Sequence, residues 1–370
     1  MPSRRPRDRT RSTRKKFVRL FKDRLPVRVR YNASYSRRKI GWPLIQAMVN
    51  NGYVEEAVQD DLAVGLKVPD GDTVFYRLGQ ASVSDITDYF HGANDSLLYA
   101  AKSLNLMDGP MDFAADSHDL AWYGGEEVHL VGTNMAGTNW AHRIWTIESV
   151  VPGRRLCFNA VPVVQTTSKS DTLEVLVAGA RRWCPIRRLF IDRAAFTVAC
   201  LRKLDELKVP YAIPAQKNAR VKRAIKEGRP FSRHAGKGVY VHISRFTLGG
   251  KDKVTTTLVI IYRPPKEEGE EEDVFAYVTD IPVTPEAAVE LGEEFRKRWG
   301  VETGFRMKKK LRGKTNSPRY SVRLLFLLLS VLLYNLFILL NAILGFGEDG
   351  KRYRMTLHVF RTAVEREAKG

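Results

Sequence analysis

The spacing of apolar residues changes character along the chain, and the changes mark its organisation. In residues 42–53, Leu44, Ile45, Met48 and Val49 recur at the three- and four-residue intervals of a helix. Pro43 fits the first turn of that helix, where its missing N–H costs nothing. Ser82 or Ser84 can cap a further helix through Ile86, Tyr89 and Phe90, and another is expected over residues 95–104. Residues 25–108 therefore read as a small all-helical region. After Pro110 the pattern shortens to β-like runs over residues 111–115, 127–133, 142–151 and 155–164. Gly124-Gly125, Ala136-Gly137 and Pro152-Gly153 supply the turns between them. A helix over residues 171–183 follows, then a strand over 187–191 that ends at Asp192, a helix over 197–208 and a strand over 211–214. Strand, helix, strand at this spacing makes part of the sheet parallel, so the class is α/β with a mixed sheet.

Three further β runs are expected at residues 239–246, 254–262 and 274–279, and together they suggest an inserted β region over about 239–280. The acidic turn at residues 267–273 reads as a solvated hairpin tip, since it lacks the alternating ligands of a calcium loop. Residues 285–309 read as one long helix. Residues 324–343 carry no charge, with Ser330, Asn335 and Asn341 as the strongly polar positions. That length suits either a membrane span or a helix buried in a large core, and Arg319 and Arg323 just before it would fit a positive-inside flank.

Charge changes the picture more than composition does. Lys and Arg number 61 against 41 acids among 370 residues, a formal net charge of +20. A chain this basic expects a polyanionic partner, nucleic acid first and an anionic membrane surface second. Residues 1–40 hold 16 Lys and Arg and two acids, Asp8 and Asp23. Residues 1–24 are expected to be a disordered basic arm, still able to neutralise phosphates. Residues 25–108 would then be a helical DNA-binding region, 109–345 a catalytic domain and 346–370 a C-terminal tail or helix. A second basic stretch, residues 217–237, includes Lys217, Arg220, Lys222 and Arg223, and suits either a DNA track or a solvated helix face. Cys157, Cys184 and Cys200 have no metal-like spacing, and their odd number points to reduced thiols in a cytoplasmic setting. No apolar signal core follows the N-terminal arginines.

Among possible catalytic groups, Asp192 directly follows the apolar run Leu189-Phe190-Ile191, and ligands in α/β sheets gather at the carboxyl ends of strands. The plainer role for such an Asp is a helix N-cap. Glu302 shares a helix face with Arg298, four residues before it, and has Trp299, Val301 and Phe305 around it. An ordinary i,i+4 ion pair is the competing explanation. Asp112, Asp116 and Asp119 cluster at the end of the first β run, and composition does not choose among them.

The spacing of Phe295, Arg298, Glu302 and Lys309 resembles the Tyr-x2-Arg-x3-Glu-x6-Lys signature of DDE transposases in insertion-sequence family four, with Phe in place of Tyr. Asp116-Ser117-His118-Asp119-Leu120-Ala121-Trp122-Tyr123-Gly124 is similar to the surroundings of that family's first Asp, and Asp192-Arg193-Ala194-Ala195-Phe196 to those of its second. An apolar helix with an internal Asn, here Asn335, is also familiar from the family. The resemblance covers about residues 80–345. It implies a ribonuclease H-like catalytic domain with Asp116, Asp192 and Glu302 holding Mg2+ or Mn2+. It further implies cleavage at transposon ends, transfer of the 3′-hydroxyl into target DNA, terminal inverted repeats and target as double-stranded partners, and a homodimer in the synaptic complex. Arg193, Arg298, Arg306 and Lys309 would position the phosphate backbone. Some relatives handle a flipped base with a tryptophan in the β insertion, and residues 239–280 contain none. With a soluble nuclease core, the apolar helix is expected to be buried rather than to span a membrane, and the protein to be cytoplasmic and held to the nucleoid through DNA. A metal-dependent nuclease without strand transfer, a transposase-derived DNA-binding protein and a membrane protein with a basic cytosolic domain remain as alternatives.

Overall fold

The computed structural model describes residues 6–265, 267, 272–297, 299–345 and 353–369, with the side chains of 297 and 299–303 outside that description. The chain opens with five helices: α1 (Pro6–Asp23), α2 (Arg37–Asn50), α3 (Val54–Ala63), α4 (Gly71–Leu78) and α5 (Val83–Lys102). The first corrects the expectation of a disordered arm. Phe17, Val18 and Phe21 lie on one face of α1 and are buried, while most of its basic side chains stay on the other. Helix α2 starts earlier than its apolar pattern suggests because Ser36 caps it, accepting from the Lys39 N–H at 3.4 Å. Pro43 therefore sits inside the helix and not in its first turn. The two helices expected over residues 82–104 are one, α5, started by a reciprocal Ser82–Asp85 capping box.

The strands are β1 (Met111–Trp122), β2 (Val131–Gly132), β3 (Trp140–Ser149), β4 (Cys157–Val163), β5 (Ile186–Ile191), β6 (Tyr211–Pro214), β7 (Arg233–His234), β8 (Tyr240–Leu248), β9 (Val254–Arg263) and β10 (Asp273–Thr279). They form one sheet in the order β2-β3-β1-β5-β6-β10-β9-β8-β7, with β4 also paired to β3. At its centre, β4, β3 and β1 are successively antiparallel, and β5 and β6 add on parallel to β1. This is the expected ribonuclease H-like mixed sheet. The β region at 239–280 is not a separate lobe: β10 pairs with β6 and carries β9 and β8 onward as an extension of the same sheet.

Helices α6 (Lys169–Arg181) and α7 (Val198–Glu206) supply the parallel crossovers, and α8 (Ala219–Gly228) carries the second basic stretch. Residues 285–309 form two helices, α9 (Pro285–Lys297) and α10 (Trp299–Lys310). The apolar segment is the core of α11 (Tyr320–Leu344), whose most apolar window is 89% buried inside the protein. It is long and apolar enough to cross a bilayer, yet α1, α5 and the β3–β4 side of the sheet cover it. Asn335 is fully buried there and fully engaged. Its amide donates to Asn94 Oδ1 and to the Cys157 carbonyl, both at 2.7 Å, and its oxygen accepts from the Cys157 N–H at 2.8 Å. Helix α12 (Leu357–Lys369) returns to α1 and α2. Lys22 Nζ donates to the Ala368 carbonyl at 2.7 Å, and Arg14 pairs with Glu367 at 2.9 Å.

Candidate active site

The parallel pairing of β1 with β5 sets Ala114 against Phe190 and Ala115 against Ile191. β5 ends at Ile191, so continuing that register one step would bring Asp192 next to Asp116, at the strand spacing of about 4.8 Å. Side chains alternate along each strand, so both aspartates project from the face that carries Ala114 and Phe190. Both are partly buried. Asp192 begins a single turn at residues 193–195, but its side chain does not cap that turn. The N-cap alternative thus does not account for it.

The other two acids near Asp116 are committed elsewhere. Asp112 accepts bidentate pairs from Arg187 (2.7 and 2.6 Å) and Arg188 (3.0 and 2.6 Å). Burial pushes its carboxyl upward, and the two guanidiniums outweigh that and hold it below the usual range. Asp119 points to the opposite face, where Arg143 grips both its oxygens at 2.7 Å and the Thr133 hydroxyl donates at 3.0 Å.

Helices α9 and α10 run along the face that bears the aspartates. Phe295 meets Phe190 edge-on with ring centroids 6.1 Å apart, at the level of Ala114. Phe305 stacks on His118 at 5.3 Å, at the far side of Asp116. Phe295 and Phe305 therefore bracket the level of Asp116 on this face, and the segment between them runs from the end of α9 into α10. Glu302 belongs to α10 within that segment. Its side chain, and Arg298 altogether, lie outside the described residues. Among the described residues no three potential metal ligands form a group.

A buried ion pair that sequence reasoning missed lies beneath α10. Lys308 is fully buried and ion-paired with the equally buried Glu148 of β3. Thr146, the residue opposite Asp116, donates to the same carboxylate at 3.0 Å. Lys308 also lies over the rings of Phe305 and Tyr334 at 4.6 and 5.1 Å. Gly304 allows this close approach: a Cβ there would stand 3.3 Å from Glu148 Oε2 and 3.2 Å from the Tyr334 hydroxyl. One readable signal was available, a single acid inside the apolar run at 142–151.

Beyond Asp116, β1 and α10 flank a groove of about 780 Å3. Arg306, Lys309, Arg312, Lys314 and Arg323 line it, and among the described residues Asp119 is the one acid on its wall. The remaining basic candidates sit around the turn that follows Asp192. Arg193 is exposed in that turn. Lys217, Arg220, Lys222 and Arg223 are exposed on or just before α8, beyond the carboxyl end of β6. Arg220 donates to the Gly249 carbonyl at 3.3 Å, and Phe246 of the same hairpin stacks on Phe196 at 6.3 Å.

Asp192 directly follows β5, Asp116 lies within β1 at the point where its pairing with β5 stops, and a groove lined by basic side chains opens beyond them. Comparison with known proteins gives the class. The family model described as a transposase DDE domain matches residues 145–336, just over half of the chain, and the chain belongs to that family. The matched span contains Asp192 and Glu302 and begins after Asp116. No curated protein matches the sequence. Among solved structures, the fold is similar to that of a piggyBac transposase determined in a synaptic complex with hairpin DNA. That likeness has a TM-score of 0.61 at 12% identity, over 95% of this chain and 79% of that one.

Proposed function

We propose that this chain is a DNA transposase of the insertion-sequence family four type, which cuts at the ends of its element and joins the freed 3′-hydroxyl to target DNA. The reading is supported by the β1–β5 register, which, continued one step, would bring Asp116 beside Asp192, and by the arginines that hold the neighbouring Asp112 and Asp119. Asp116, Asp192 and Glu302 would hold Mg2+ or Mn2+, because a donor set of carboxylate oxygens suits hard cations. Bound there, such ions lower the pKa of the attacking water or 3′-hydroxyl and offset charge on the leaving oxygen. The chain's own part is to place the scissile phosphate. Arg306 and Lys309 would hold the strand from the groove side, and Arg193, Lys217, Arg220, Lys222 and Arg223 from the side of Asp192, with Arg298 in the same role. Two copies of the chain would hold two element ends; the structural relative was determined in a synaptic complex with hairpin DNA.

The test is a nicking and joining assay on a plasmid bearing the element's ends, with Mg2+ or Ca2+, for wild type and for Asp116→Ala, Asp192→Ala and Glu302→Ala. The expected result is Mg2+-dependent cutting and joining in wild type, lost in all three variants while DNA binding persists. Cutting that survives in Asp192→Ala and Glu302→Ala would remove the site assignment. Cutting without joined products would leave a nuclease.

A further inference from the structure

The groove beyond Asp116 holds a cation that the proposed carboxylate chemistry does not use. Arg312 follows α10 and is only partly exposed, yet among the described residues no carboxylate pairs with it. Its Nη1 lies 3.3 Å from His118 Nε2, and His118 is buried flat against Phe305. Arg323 faces the same space. Its guanidinium lies 4.5 Å from the centre of the Trp122 ring and donates to the Ser317 carbonyl at 2.7 Å; among the described residues no carboxylate is ion-paired with it, although Glu127 lies within electrostatic reach. Burial, and then the charge of Arg323, push the pKa of Arg312 down to about 10.

The backbone that carries Arg312 is held firmly. Asn51, in the left-handed conformation at the end of α2, donates its amide to the carbonyls of Lys309 (3.1 Å) and Arg312 (2.5 Å). The Lys314 N–H donates to the Gly52 carbonyl at 2.8 Å. At Gly313 a Cβ would approach Phe326 to 3.0 Å and the Gly52 carbonyl to 3.3 Å, so the loop lies against the α2–α3 turn. An unpaired, half-buried arginine beside a second cation costs the free protein stability. Such a group is retained at a fixed position when an anion completes it in the bound state.

We propose that Arg312 is the seat for one backbone phosphate of a nucleic-acid strand leaving the carboxylate site along β1. His118 acts as a positioning residue that orients the guanidinium, and Arg323 adds charge from the far wall. A planar fork suits a phosphodiester better than a lysine does. This rests on the DNA reading above. It assigns a task to the N-terminal helices as well, since the α2–α3 turn sets the height of the seat.

The test compares wild type, Arg312→Met and Arg312→Lys with a short fluorescein-labelled duplex in Ca2+, reading affinity against salt concentration, and melting temperature without DNA. For Arg312→Met we expect a binding slope in log salt smaller by about 0.9, the value for one lost phosphate contact. Its melting temperature should equal or exceed that of wild type, because a like-charge contact has been removed. Arg312→Lys should keep the wild-type slope but bind several-fold more weakly. An Arg312→Met protein with a lower melting temperature and an unchanged slope would make Arg312 a structural residue and overturn the seat alone. Wild type that fails to bind the duplex at low salt would overturn the DNA reading and the seat together.

Discussion

Glu148 and Lys308 remove two opposite charges from water directly beneath the helix that carries Glu302. A buried pair contributes little net stability, but breaking it strands a charge at a cost of about 3–5 kcal/mol. Lys308→Met is therefore expected to unfold at markedly lower urea, and the double variant Lys308→Met/Glu148→Leu to recover most of the loss. Equal stability of the single variant and wild type would mean that the pair is not formed. His142 makes a prediction about acid. It is fully buried, neither ring nitrogen has a partner among the described residues, and burial followed by the charge of Arg323 takes its pKa down to about 4. Between that value and the ordinary 6.5 the unfolded chain binds the extra proton, so stability should rise with pH across this window and be lost as pH falls through it. His142→Phe, which keeps a flat ring between Trp122 and Tyr320, should flatten that limb of the unfolding-against-pH curve. A limb of unchanged slope would assign the effect to other groups.

At the scale of elements, α11 tests how a polar residue is tolerated in a helix otherwise apolar enough for a bilayer. Asn335 joins α5, α11 and β4 through three hydrogen bonds, and Asn335→Leu leaves the Cys157 N–H and the Asn94 amide group short of partners. The expected loss is about 1–3 kcal/mol by chemical denaturation, with far-UV helix signal retained. No loss would mean that water or a shift of α5 replaces the network. This helix, the βαβ unit around Asp192 and all three strands of the β region were legible from period and turn residues, because each is a local pattern. What was not legible was non-local. That the inserted β region extends the main sheet is shown only by the β10–β6 register. Residues 1–24 read as a tail because 16 basic residues in the first 40 mask the spacing of Phe17, Val18 and Phe21. Composition did not choose among Asp112, Asp116 and Asp119 and the family resemblance pointed to Asp116, whereas the arginines that hold the other two, Arg187, Arg188 and Arg143, lie 24 or more residues away along the chain.

For the molecule as a whole, these corrections change what removal of residues 1–24 should do. A disordered basic arm could be lost with only a weaker salt dependence of DNA binding. Helix α1 instead seats three apolar side chains in the core, each worth about 1.5–3 kcal/mol of burial, so its removal should lower the melting temperature and expose apolar surface to a hydrophobic dye. A truncated protein that melts like the full chain would return the segment to the status of a tail. The contacts between α1 and α12 extend the point to how the protein is made. Lys22 and Arg14 emerge from the ribosome first among these elements, and their partners Ala368 and Glu367 emerge more than 340 residues later. At about 5–20 residues per second, α1 can pack on α2 early but waits on the order of half a minute for its contacts with α12. Folding cannot be completed from one end to the other during synthesis. A nascent chain interrupted before α12 would leave the cell a basic, partly open product, well suited to chaperones and proteases.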